Sequence, residues 1–275
     1  MKKGKWLILL LILVVMAAAI VISHGSHSTH WRVPKAGSRI VIPVFELHRV
    51  LPGMAEEYIV SPEHLEDLLR TLEVRHFTPI TLAQLRDALQ NHGPLPKHPA
   101  MLTFDDAYLD NYTYAFPVLQ RHGWTAVFFA PVGNISDPPA ERVQGEDGPD
   151  PLHMQWPELI EMSKAGMEIG SHSVHHINLT HADPEALRFE LEESRRVLAE
   201  RLGQVPLAIA YPGGRQNHVV REAAAAAGYE LGFVTGFGPF PLDEIDDLLK
   251  LPRVHVPGYV KPAALINSIP QNEWK

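Results

Sequence analysis

Two short stretches hold the residues best suited to chemistry. EIGSHSVHH (168–176) places His172 and His176 four apart with His175 between them, and TFDD (103–106) sets Asp105 beside Asp106. Neighbouring carboxylates are costly to ionise together unless a cation neutralises at least one. Two imidazoles and one carboxylate make the two-histidine, one-carboxylate set that binds a divalent metal and leaves positions open for water and substrate. Each piece has a plainer reading, since an Asp-Asp pair also caps helices and a chain with 16 histidines places some at this spacing by chance. Their weight depends on where the fold puts them.

A chain of 275 residues with 45% hydrophobic content buries a full-sized core. Its formal charge of -8 and lack of a basic stripe exclude nucleic acid as a partner. With no cysteine there is no disulfide framework and no lipidated N-terminal cysteine.

Short β-branched or aromatic runs at 39–47, 100–104, 125–131, 167–171, 207–212, 231–236 and 252–256 read as strands, with helical patterns between them. One helix opens on Ser61 and Pro62, one closes on Gly93, and one runs from Asp183 to Gly203. This alternation predicts a parallel sheet with its helices outside, and about seven strands predict an incomplete barrel. The stretch from Val132 to His153, rich in Pro, Gly and acidic residues, reads as a long functional or mobile loop. In parallel barrels the C-terminal strand ends face the active-site mouth. Those ends carry Glu46 to His48, Thr103 to Asp106, Gly170 to His172 with His176, and Tyr211 to Gly214, so acids, bases and ligands converge.

The N-terminus has export chemistry. Lys2, Lys3 and Lys5 precede an unbroken apolar run from Trp6 to Ile22. We read residues 1–22 as an uncleaved anchor in the cytoplasmic membrane with the lysines inside, over a signal peptide cleaved near Ala17 to Ala19. Residues 23–38, with His24, His27 and His30, read as a flexible tether rather than a metal-collecting tract, and 39–275 as one catalytic domain outside the membrane.

The motifs resemble the polysaccharide deacetylases, carbohydrate esterase family 4. TFDDA is similar to the family's Thr/Ser-Phe-Asp-Asp-Gly, IGSHSVHH to its His-Ser/Thr-x-x-His, and AIAYPGG to its third, Pro-Tyr-Gly motif, while VIPVFELHRV resembles the opening of the biofilm-type poly-N-acetylglucosamine deacetylases. The resemblance spans about Ile40 to Val256 and implies a distorted (β/α) barrel. It also implies hydrolysis of N-acetyl groups on an N-acetylglucosamine polysaccharide with a divalent cation, zinc foremost, with cobalt, nickel or iron as alternatives. Carried over, Asp105 is the catalytic base, and Asp106, His172 and His176 are the metal ligands. The Gly213 N–H is the oxyanion donor and His48 the general acid, with His255 as its competitor. His175 is then a surface residue or one that supports the ligands, and Trp156 fills core. Three positions depart from the pattern: Ala107 replaces Gly, Gly213 replaces an aromatic, and Ala210 stands where many members carry an arginine that tunes the base. Arg253 and Arg215 are candidate substitutes, though each reads first as a solvent-exposed arginine. The alternatives to N-deacetylation are O-acetyl esterase action and a catalytically weak carbohydrate-binding relative.

Overall fold

The computed structural model describes residues 31–35, 38–145 and 151–273. The anchor expected over 1–22 and most of the tether expected over 23–38 lie outside the described residues. Arg32, within that tether, is not free, because its N–H and C=O each bond Leu95 at 2.7 Å. Among the described residues no helix is long and apolar enough to cross a membrane.

Seven parallel strands form a ring: β1 (Val44–Leu47), β2 (Pro99–Phe104), β3 (Val127–Ala130), β4 (Glu168–Ser171), β5 (Ala208–Ala210), β6 (Leu231–Phe237) and β7 (Leu251–His255). Their spatial order follows the chain, and β1 then closes the ring by pairing with both β2 and β7. The expected open barrel is therefore closed, and its thinnest seam is β4–β5, where only Ser171 and Ile209 are in register. The strand expected over 39–47 is interrupted at Pro43, which has no N–H to give a ladder. Val41–Ile42 instead pairs antiparallel with Phe240–Pro241.

Helices α1 (Pro62–Val74), α2 (Leu82–Asn91), α3 (Phe116–His122), α4 (Trp156–Lys164), α5 (Pro184–Leu202), α6 (His218–Ala227) and α7 (Pro262–Asn267) complete the set. Ser61 caps α1 by accepting from the His64 N–H, and Asp183 caps α5 by accepting from Glu185 and Ala186. Helix α2 ends one residue earlier than expected. His92, not Gly93, takes the left-handed C-cap conformation, and the Gly93 N–H then bonds the Asp87 carbonyl.

Strand alternation divides the side chains between two layers. Phe45, Leu47, Leu102, Phe104, Phe128 and Ala130 belong to a buried cluster shared with α1 and α3 to α5. Val44, Met101, Val127, Phe129, Ala208, Ala210, Leu231, Phe233 and Leu251 form the second, which floors the barrel. Gly170 lies on this inner face because the Phe129 ring fills the space, and a Cβ there would sit 2.4 Å from it. Along the same inner register the residues become polar towards the mouth, through Glu46, Thr103 and Arg253 to Asp105, all buried. An apolar floor under a polar upper layer is what raises the reactive groups to one end.

At the opposite end, Glu168 Oε2 accepts from the Leu82 N–H at 2.9 Å. Burial pushes this carboxyl from 4.5 up to about 7, against the Leu82 bond, which pulls it down. The unfolded chain releases this proton near 4.5 and the folded chain only near 7. Stability present at acid pH is therefore lost as pH rises between those values. Glu168→Gln should flatten that fall, worth on the order of 2–3 kcal/mol. Urea melts of both proteins at pH 4.5 and 8 measure it, and an equal pH response in the two would refute the assignment.

Candidate active site

Asp105 and Asp106 follow β2 directly, and Asp105 is fixed by its N–H to the Leu47 carbonyl of β1 at 3.0 Å. Asp106 and Ala107 then turn through left-handed backbone, with φ of 71° and 53°. Ala107 is thus held, fully buried, in a conformation that costs an L-residue about 1–2 kcal/mol, which gives a physical reason for glycine at this place in the resembling motif. His172 follows β4, its N–H on the Ala130 carbonyl at 3.0 Å.

The three expected ligands do meet. Asp106 Oδ1 lies 3.3 Å from His172 Nε2 and 3.2 Å from His176 Nε2, and one ligand atom from each residue falls within 4.8 Å of the others. His172 Nδ1 is 2.8 Å from the Ala210 carbonyl, so Nδ1 bears a proton and Nε2 is the nitrogen that faces Asp106 and could be given to a cation. That outer hydrogen bond is the usual companion of a metal-binding histidine. The donor set, two imidazole nitrogens and a carboxylate oxygen with an oriented tautomer, fits a divalent cation. Burial opposes the charged form of both groups, yet hydrogen bonds from His172 and His176 hold Asp106 well below the usual carboxylate range, and Asp105 and Asp106 raise His172 above its ordinary value.

The solvent-exposed reading of Arg253 is overturned, and its contacts fit the alternative, a substitute for the arginine absent at position 210. It is fully buried inside the barrel, and all five of its N–H donors are used. Nη1 and Nη2 each reach an oxygen of Asp105 at 2.7 Å. The others go to Glu46 Oε1 at 2.9 Å, Thr103 Oγ1 at 3.2 Å and the Val234 carbonyl at 3.1 Å. Burial pushes the Asp105 carboxyl up, but Arg253 and then His172 outweigh it and hold it below its ordinary value. Ala210, on the inner face of β5, is too short to act on Asp105, and the arginine arrives from β7 instead. Arg215 is exposed, as expected.

Glu46, which the sequence places at the mouth as a strand-end acid, has a role that the sequence reading did not assign. Fully buried, it also accepts from Thr235 Oγ1 at 2.9 Å, which fixes the far side of the guanidinium. The available signal was an acid and an arginine, Glu46 and Arg253, each following an apolar residue in the inward register of its strand.

His48, just after β1, has a ring nitrogen within 4.8 Å of both Asp105 and Glu46 oxygens. Its Nδ1 is buried and has no hydrogen-bond partner among the described residues. The Tyr58 ring packs edge-on at 4.9 Å and the His255 ring at 6.2 Å. His255 Nε2 is already occupied, 2.8 Å from the Glu57 carbonyl and 3.2 Å from its carboxylate. Arg49 and Asp110 pair in the interior at 2.8 Å and tie the segment after His48 to the one after Asp106. Gly213 stands exposed in the turn after β5, with φ of 60°. His175 is largely exposed, its Nδ1 2.6 Å from Glu190 Oε1. Trp156 is core, with the Arg201 guanidinium 5.1 Å over its ring. The long loop is packed rather than free where it is described: Arg142 forks onto Glu158 at 2.7 and 2.8 Å, and His153 stacks on Tyr108.

Replacing Arg253 by Met leaves two carboxylates buried without their partner. Such a loss costs about 3–5 kcal/mol and returns the Asp105 carboxyl to the control of burial, which raises it. Denaturant melts and a carboxyl titration followed by NMR check both outcomes. Unchanged stability would show that the pair does not hold the barrel interior together.

A family model described as polysaccharide deacetylase matches residues 92–232. YxkH of Bacillus subtilis, named as a polysaccharide deacetylase, is 31% identical over 215 residues, covering 78% of this chain and 71% of that protein. The Escherichia coli poly-beta-1,6-N-acetyl-D-glucosamine N-deacetylase is 25% identical over 241 residues, 75% of this chain and 35% of that protein, so this chain corresponds to about a third of it. Among solved structures, the Streptococcus pyogenes deacetylase PplD in complex with acetate superimposes with a TM-score of 0.74 at 25% identity, covering 84% of this chain and 99% of that one.

Proposed function

The chain belongs to the polysaccharide deacetylase family, and on that premise we propose that it is a metal-dependent N-deacetylase of an N-acetylglucosamine polysaccharide, working outside the cytoplasmic membrane. The observation that carries this reading is a buried Asp105 kept ionised by Arg253 beside the Asp106, His172 and His176 donor set. Likeness to the E. coli enzyme named for poly-beta-1,6-N-acetyl-D-glucosamine supports the substrate class. The lysines and apolar run of residues 2–22 support a membrane tether.

A divalent cation, zinc by the chemistry of two imidazoles and one carboxylate, would be held by Asp106, His172 and His176 and would supply Lewis acidity towards the acetyl oxygen and water. Asp105 accepts the proton of the attacking water, and Arg253 keeps it in the basic form needed for that step. The Gly213 N–H donates to the oxygen on which charge builds. His48 gives a proton to the departing nitrogen, so that water and amide become acetate and a free amine. Arg253 also bears on the weak-binder alternative, because it supplies the charge that Ala210 lacks.

Purified full-length protein with zinc and N-acetylglucosamine oligomers should release acetate, and release from O-acetylated glycans alone would shift the reading to an esterase. Asp106→Ala and His172→Ala should lose metal and activity together. Asp105→Asn should keep the metal, while turnover falls by about 10²–10⁴-fold. Equal metal loss in Asp105→Asn, by elemental analysis, would mean that the two carboxylates exchange roles. His48→Ala should slow amide cleavage far more than cleavage of an activated acetyl ester, since a good leaving group needs little protonation. His255→Ala should leave that ratio nearly unchanged.

A further inference from the structure

Both histidine ligands sit in one five-residue turn, 172–176, whose backbone is unusual. Ser173 and His176 have left-handed φ of 66° and 56°. Neither is a glycine, so something outside the turn must hold it in place. Every N–H of the turn is bonded. His172 donates to the Ala130 carbonyl, Ser173 to Ser171 Oγ at 3.1 Å and His176 to Ser173 Oγ at 3.1 Å. The two between them, Val174 and His175, both donate to a single oxygen, Glu190 Oε2, at 2.8 and 2.9 Å. Glu190 Oε1 takes His175 Nδ1 at 2.6 Å, so both oxygens of this carboxylate are spent on the turn. Successive N–H groups beside a left-handed residue form a concavity for an anion, and here a side chain of the protein fills it.

Glu190 is itself well placed to act as a clamp. It is only 3% exposed and lies on α5, the helix packed on the outer side of β4. One helical turn further on, Ser194 Oγ is bonded to Ser171 Oγ at 2.9 Å and to the Tyr229 hydroxyl at 2.9 Å. That pair fixes the register of α5 on the end of β4, and with it the height of Glu190 beneath the turn. The turn's carbonyls are held from the other side, Ser173 by the Val132 N–H at 3.2 Å and Val174 by the Gly133 N–H at 2.9 Å.

We propose that Glu190 is a positioning residue for the metal site: its buried carboxylate pins the 172–176 turn so that His172 and His176 present Nε2 to Asp106. The inference rests on the metal reading above, and it assigns His175 a place in the clamp. The amides of Val174 and His175 are the working contacts, and the His175 ring adds a third.

The test separates reach from charge. Glu190→Gln keeps an oxygen able to accept both amides, whereas Glu190→Asp keeps the charge but is one methylene too short, and Glu190→Ala removes both. Zinc affinity is measured by competition with a chromophoric chelator and ligand geometry by the visible spectrum of bound cobalt. Exchange of the Val174 and His175 amides is followed by NMR in the metal-free protein. Glu190→Ala and Glu190→Asp should weaken zinc by about 10–100-fold, shift the cobalt spectrum and speed exchange at those two amides, while Glu190→Gln stays within about threefold of the wild type. Unchanged zinc affinity and cobalt spectrum in Glu190→Ala, even with a lowered melting temperature, would reduce Glu190 to fold support and overturn the proposal. If Glu190→Ala does not fold, wild-type affinity in Glu190→Asp together with loss in Glu190→Gln overturns it as well. Wild-type protein that binds zinc but releases no acetate removes the proposed activity and leaves this inference standing. Wild-type protein that binds no zinc overturns both.

Discussion

The fork of Arg253 onto Asp105, at 2.7 Å to each oxygen and wholly out of water, is the contact on which the rest of the barrel mouth depends. A lone carboxylate at that depth would take up a proton, because burial favours its neutral form. A lone guanidinium would be worse off still. Each makes the other tolerable, and Glu46, Thr103 and the Val234 carbonyl complete the arginine's shell, so that no N–H is wasted. The layer beneath is apolar and well filled, so the charges have no route to sink and are presented upward.

Above that layer the mouth has two working sides. One is built from the ends of β2 and β4 and gathers Asp106, His172 and His176. The other comes from β1 and β7 and gathers Glu46, His48, Arg253 and His255. Asp105 is where they join, bonded to the arginine of one side and 4.0 Å from the histidine of the other. Of the six left-handed non-glycine residues among the described residues, four, Asp106, Ala107, Ser173 and His176, lie on the side that carries the Asp106, His172 and His176 donor set, and none lies on the other side of the mouth. Unfavourable backbone collects where Asp106, His172 and His176 are brought closer than regular strands and turns would place them.

Much of this was legible in the sequence, for definable reasons. The seven strand runs were readable because both barrel faces are buried and the runs are short and β-branched. The residues proposed as ligands and base could be singled out because they are local motifs at strand ends, and Asp106, His172 and His176 do meet in space. Ring closure was not, since it rests on β1 lying between the last strand and the second, a long-range pairing that no local pattern encodes. Arg253 was misread for a related reason. An arginine is exposed by default, and only its partner 207 positions earlier, Glu46, shows why this one is not. Glu190 belongs to the same class: within α5 it looks like any acidic helix residue, and its meaning comes from two amides on another segment.

Parts that meet at the mouth are far apart along the chain. The Asp106, His172 and His176 donor set is complete by His176, whereas the partner that holds the Asp105 carboxyl low arrives only with β7, and its other contact, Glu46, was laid down near the start. The protein therefore joins its first barrel strand to its last through the side chains that bear on the ionisation of Asp105. A chain lacking that last strand still carries the whole donor set but leaves Asp105 and Glu46 without their shared counter-charge. The ionised state of Asp105, the proposed base, is thus tied to completion of the ring, so that topology acts as a check that the molecule has finished folding.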